Sequence, residues 1–112
     1  MFYHNIPDDF QKILDGIEIK TLIFGEKMLL SEFHMKRGSA LPIHSHPQEQ
    51  TGRLLQGKIV LSIGGEKREM TPGDCWSVPC HAEHGAEILE DSIAIEVFSP
   101  VRDDYKQYHR KT

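Results

Sequence analysis

Hydrophobic residues along this chain come in short bursts. Runs rich in Ile, Val, Leu and Phe, several of them alternating apolar with polar positions, recur at close intervals and are divided by Gly, Pro and Asp. A period of two puts successive side chains on opposite faces of an extended chain, so each burst reads as a strand. The predicted strands cover residues 17–24, 27–36, 41–46, 51–56, 58–63, 66–70, 75–79, 84–89 and 92–98. Many short strands with turn chemistry between them predict an all-β sandwich or barrel.

The punctuation supports this. Gly64 and Gly65 stand between two strand-like runs, where a two-residue hairpin needs positive φ. Thr71-Pro72-Gly73-Asp74 fits a tight turn in which proline presets φ and glycine takes the left-handed conformation. Residues 8–16 (DDFQKILDG) read as one or two helical turns, with Asp8 or Asp9 as cap and Gly16 as stop. The C-terminal DDYKQYHRKT is polar and aperiodic, either disordered or laid over the barrel.

Length narrows the picture to a single domain over 1–112, with a barrel core at 17–98, because 112 residues support one hydrophobic core. No apolar run approaches the roughly 18 residues of a membrane span. The opening MFYHNIPDDF lacks the basic start and apolar middle of a secretory signal, so a cytoplasmic location is expected. Thirteen basic against seventeen acidic side chains give a net charge of −4, and the one basic cluster is a short His-Arg-Lys near the C-terminus. Phosphate binding needs clustered Lys and Arg, which argues against a nucleic-acid partner.

Cys75 and Cys80 are expected to be free thiols in a reducing compartment. A zinc site made of Cys75, Cys80, His81 and His84 is disfavoured, because Cys75 falls in a predicted strand and the spacing matches none of the usual zinc patterns. His44 and His46 offer better chemistry. Two residues apart in a strand, they share a face and lie roughly 6.6 Å apart along it, close enough to converge on one ion. Alone the pair is a weak signal, since two ordinary surface histidines would look the same.

More residues agree with them through resemblance. Gly38, five residues, His44, one, His46, three, Gln50, six and Gly57 resemble the first motif of the cupin family, with Gln50 in the usual glutamate position. Gly73, five residues, Pro79, one, His81, two and His84 resemble its second motif, with His81 where the family usually has glycine. The resemblance implies a small jelly-roll barrel (double-stranded β-helix) of about six to eight strands. It also implies a divalent transition metal held by His44, His46, Gln50 and His84 at the barrel mouth. His81 is then a loop residue near the mouth, and His4, His34 and His109 are solvated or packing histidines. Without the usual glycine at 81, the loop before His84 is open to remodelling.

A neutral amide in place of glutamate leaves the full charge on the ion, which favours an anionic ligand. Oxygen and nitrogen donors without thiolate suit Zn, Mn, Ni, Co or Fe alike.

A narrower resemblance runs over most of residues 40–105. HSHPQEQ, LSIGGEK, PCHAEHG and EVFSPVRDDY are similar to the cupins of pectin and alginate breakdown that linearise 4,5-unsaturated monouronates to open-chain keto acids. In that family an aspartate, a phenylalanine and an arginine of this stretch are functional; the match carries them onto Glu96, Phe98 and Arg102, so the acid is one methylene longer here. Gln48 and Arg53 replace a histidine and a tyrosine expected in close relatives. The implied reading is a metal-dependent isomerase or lyase-type enzyme acting on a small sugar acid. A non-catalytic sugar-acid-binding cupin and an iron-dependent dioxygenase are the alternatives.

Along 92–98, Ala94, Glu96 and Phe98 share one face and Ile93, Ile95 and Val97 the other. The charge belongs toward water or ligand in the mouth, which turns the apolar trio outward. An exposed apolar face of this kind marks an interface, and a homodimer is expected.

Overall fold

The computed structural model describes residues 1–109. Eight strands are formed: β1 (Gln11–Leu14), β2 (Ile17–Phe24), β3 (Leu29–Met35), β4 (Ala40–His44), β5 (Glu49–Ile63), β6 (Glu66–Met70), β7 (Cys75–Val78) and β8 (His84–Ser99). A 3-10 helix at Asp103–Tyr108 follows. All strand pairs are antiparallel, as expected of a jelly roll.

Two long strands organise the barrel. The first part of β5 pairs with β7 and with the end of β8, while its second part pairs with β6 and with the start of β8. β8 likewise carries β4 on its first part and β3 on its second. Each long strand therefore serves two sheets and bends between them. The bend falls where the β5–β8 register shifts, between Leu54 and Ile59. Gly57 sits there with φ +92°, and a Cβ would strike the Ser92 side chain and the Asp91 carbonyl. Only glycine allows so close a crossing.

The sequence pattern split both long strands in two, at 51–56/58–63 and 84–89/92–98. Their ladders instead continue through the bend, because bulges re-aim a strand without ending it.

The expected helix at 8–16 is a strand. Residues 11–14 alternate half-buried and exposed and pair with Ile17–Ile19 of β2. Asp15-Gly16 is the hairpin turn, with Gly16 at φ +77°. Phe10, Ile13 and Leu14 have helix-compatible spacing, but the open edge of β2 offers a ladder that a one- or two-turn helix cannot match.

Between the sheets lies an apolar core that includes Ile17, Ile19, Leu29, Phe33, Leu54, Ile59 and Phe98, all at most 3% exposed. The tail is laid over the barrel as far as residue 109, and its last three residues lie outside the described ones. Thr21 Oγ1 donates to the Tyr105 carbonyl at 2.6 Å, and Tyr105 and Tyr108 pack against the core. No helix among the described residues is long and apolar enough to cross a membrane.

Candidate active site

At one end of the barrel three imidazoles meet. His44 ends β4, His84 begins β8, and the two residues are paired across the ladder. His46 lies beyond β4, in the turn leading into β5, rather than within the predicted strand 41–46. The ring centroids are 4.2 Å apart for His44–His84, 4.8 Å for His46–His84 and 5.7 Å for His44–His46.

Each ring is aligned by a carbonyl two residues away. The Nδ1 atoms of His44, His46 and His84 lie 2.7, 3.0 and 2.9 Å from the carbonyls of Pro42, Gln48 and Ala82. A carbonyl only accepts, so each neutral ring keeps its proton on Nδ1 and its lone pair on Nε2. Burial pushes the His84 pKa down to about 4, with smaller contributions from His44, His46 and Arg102, and burial followed by Arg102 lowers that of His46. Neutral imidazole is the form that binds metal.

These residues fit a divalent ion. One ligand atom from each histidine lies within 4.8 Å of the others, against roughly 3–4 Å for donors about 2.1 Å from a shared ion, so slight side-chain rotation would close the set. His84 Nε2 is buried without a hydrogen-bond partner, a loss of about 1–3 kcal/mol that a bound cation would offset. Gln50 Oε1 lies 3.0 Å from His46 Nε2, two acceptor atoms facing each other where a cation would satisfy both. Among the described residues, this is the one group of three or more His, Cys, Asp or Glu side chains arranged for a metal. Cys75 and Cys80 are exposed free thiols outside it, so no zinc site forms from them with His81 and His84.

Glu96, Phe98 and Arg102 converge on the same mouth. Glu96 is buried on the inner face of β8, and its Oε1 accepts from Gln50 Nε2 and, at 2.8 Å, from Trp76 Nε1. Burial raises its pKa, opposed by the two donors and by the Arg102 charge. With Oε1 already accepting twice, Oε2 is the oxygen free to carry a proton toward the cavity.

Phe98 is 1% exposed and meets the His46 ring edge-on at 5.8 Å. Arg102 stacks 3.9 Å above the Tyr105 ring and forks onto Asp104, with Nε at 3.3 Å and Nη2 at 2.8 Å. One edge of its guanidinium is therefore engaged and the Nη1/Nη2 edge remains for a ligand. A cavity of about 40 Å³ lies between His84, Gln50, Glu96, Phe98, Arg102 and Tyr105. That is room for water, not for a sugar ring.

Three contributors escaped the sequence reading. Trp76 fell within a predicted strand with no role assigned, and Asp104 and Tyr105 sat in an aperiodic tail. The Tyr105 phenol, pushed up to about 12 chiefly by burial, stays protonated near neutrality. The loop before His84 accommodates a histidine where the family usually has glycine. His81 takes φ +63°, the conformation glycine would adopt, and its N–H donates to the His46 carbonyl at 2.9 Å. Histidine is among the few side chains that tolerate it. Of the remaining histidines, His34 packs on Phe10 and bonds Glu32, and His109 bonds the Thr21 carbonyl.

The cupin domain family matches residues 31–99, which include every predicted metal ligand. The chain is a cupin. Pectin degradation protein KdgF of Dickeya dadantii (strain 3937) is 29% identical over 98 residues, covering 86% of this chain and 89% of that protein. The structure of KdgF from Halomonas sp. is 36% identical, with a TM-score of 0.87 over 93% of this chain and 96% of that one. H2HPP isomerase of Bacillus subtilis is 26% identical over 105 residues, and this cupin spans 44% of its length.

Proposed function

We propose that this cupin binds one divalent metal through His44, His46, Gln50 and His84 and linearises a 4,5-unsaturated monouronate. The observation that carries the reading is the convergence on one mouth of an imidazole group, a buried acid with one oxygen free, and a guanidinium. The Arg102 charge also reaches both buried histidines, lowering their pKa values, and a bound divalent ion would add positive charge beside it. Such a site favours an anion. The likeness to the KdgF proteins supports a sugar acid in particular.

The bound metal would polarise substrate oxygens as a Lewis acid. In the proposed reaction water adds across the ring double bond: hydroxyl joins the carbon bearing the ring oxygen, and hydrogen joins its neighbour. The bond to the ring oxygen then breaks, the new hydroxyl loses its proton, the ring oxygen gains one, and an open-chain keto acid results. Glu96 Oε2 holds the proton delivered to carbon. The free edge of Arg102 pairs with the substrate carboxylate. Phe98 forms the apolar wall that keeps the acid desolvated. Because the cavity of about 40 Å³ admits only water, the sugar lies across the mouth beside the exposed His44 and the partly buried Arg102.

Outside the barrel, half-exposed Ile93, Ile95 and Val97 are the proposed homodimer face.

The test is loss of ultraviolet absorbance from an unsaturated monouronate with purified protein of known metal content. Metal-dependent loss is expected. Tight sugar-acid binding without turnover would identify a binding module instead, and bound iron with oxygen uptake a dioxygenase. Sedimentation at micromolar concentration should give a dimer that Ile95→Glu converts to monomer; a monomeric parent would overturn the dimer.

A further inference from the structure

Gly52 lies within β5 at a position where glycine weakens a strand. It pairs with Trp76 on one side and Glu96 on the other, so β7 and β8 are separated there by a residue with no side chain. The Trp76 indole fills that gap. Its Nε1 reaches Glu96 Oε1 at 2.8 Å across the intervening strand. A Cβ on Gly52 would collide with indole Nε1, and would stand 2.6 Å from Cε2 and 2.8 Å from Glu96 Oε1. The glycine is therefore what permits the bond.

Glu96 Oε1 also accepts from Gln50 Nε2, and a side-chain amide presents its oxygen opposite its nitrogen. Holding Glu96 thus turns Gln50 Oε1 toward His46 Nε2, where the metal would sit. We infer that Trp76, reaching over Gly52, is a positioning residue that fixes Glu96 and, through it, the metal-facing orientation of Gln50. The kinetic part of this inference rests on the proposed uronate chemistry; the metal part does not.

Trp76 is the only tryptophan of the chain, so its indole N–H gives a single NMR signal. In the parent protein this proton should exchange slowly, and its resonance should shift on loading with Zn²⁺. Trp76→Phe keeps an aromatic ring but removes the donor. It should weaken Zn²⁺ binding roughly tenfold, the low end of the range for a direct outer partner of a ligand, because Trp76 acts on Gln50 through Glu96. With unsaturated uronate, kcat should fall by a similar factor while KM stays within about twofold, since the substrate contacts remain. Gly52→Ala, with the tryptophan intact, should reproduce both effects.

Parent Zn²⁺ affinity in a folded Trp76→Phe protein overturns the inference. An indole proton that exchanges as fast as that of free tryptophan overturns it as well, and this measurement needs no variant. If the parent turns over no uronate while Trp76→Phe still loses Zn²⁺ affinity, the uronate reading fails and the positioning role stands.

Discussion

The three histidines and the Glu96–Arg102 pair face the same mouth, but they are held there by different means. Each imidazole is aligned by a carbonyl two residues away. Glu96 is held by side chains 20 and 46 positions away, and Arg102 by the stacked Tyr105 and the fork onto Asp104. The imidazole group needs only its own short segments and the β4–β8 pairing to form. The acid and the guanidinium need the correct register of β5, β7 and β8 and a docked tail. The metal end should therefore fail in an all-or-none way when a ligand is lost, and the other end by degrees.

The largest effect is expected at the metal end. His84→Ala should reduce metal affinity by at least about a hundredfold, exceeding the loss from an outer partner alone, and abolish turnover with it. His34→Ala, a substitution on the half-exposed outer face of β3, should keep its metal. Metal analysis after gel filtration decides, and full occupancy in His84→Ala would remove the metal assignment.

Next comes the acid. Glu96→Gln should lower kcat by roughly 10²–10⁴, the usual contribution of a positioned acid, with metal content retained because glutamine keeps an oxygen that can accept from Trp76 and Gln50. Parent-level turnover in this variant would exclude Glu96 as proton carrier. Complete loss of the metal in this variant would show that the three imidazoles do not hold the ion without the carboxylate behind Gln50.

Arg102→Lys keeps the charge but loses the planar fork. A charge-assisted hydrogen bond is worth about 1.5–3 kcal/mol, so KM should rise roughly 10- to 150-fold with kcat little changed. A fall confined to kcat would move Arg102 from binding to chemistry.

The smallest effect sharpens that last point. Asp104 partly neutralises Arg102 from the edge away from the one proposed for the substrate carboxylate, but its side chain is 59% exposed, and pairs of this kind contribute about 0–1 kcal/mol. Asp104→Ala should change KM by at most about fivefold, downward if the lost neutralisation dominates. A rise in KM would mean that Asp104 instead holds Arg102 in place.

What could be read from the chain follows the same division between local and distant contacts. Bursts of alternating residues gave the all-β class because the period of two is a property of the strand itself. The spacing of His44, His46, Gln50 and His84 marked the proposed metal ligands through their resemblance to the cupin motifs, and alternation turned Glu96 and Phe98 inward and Ile95 outward. Other features depended on partners far along the chain. Residues 11–14 became a strand because β2 offered an open edge, and β5 and β8 ran through their bends because Gly57 lets them cross. Tyr105, in a stretch without periodicity, reached the mouth because Phe33, Phe98 and Arg102 form a surface for its ring. Trp76 touches Glu96 only because the register puts Gly52 between them. Local periodicity fixes which face a side chain takes. Which distant residue waits on that face is set by sheet register, which no short stretch of sequence contains.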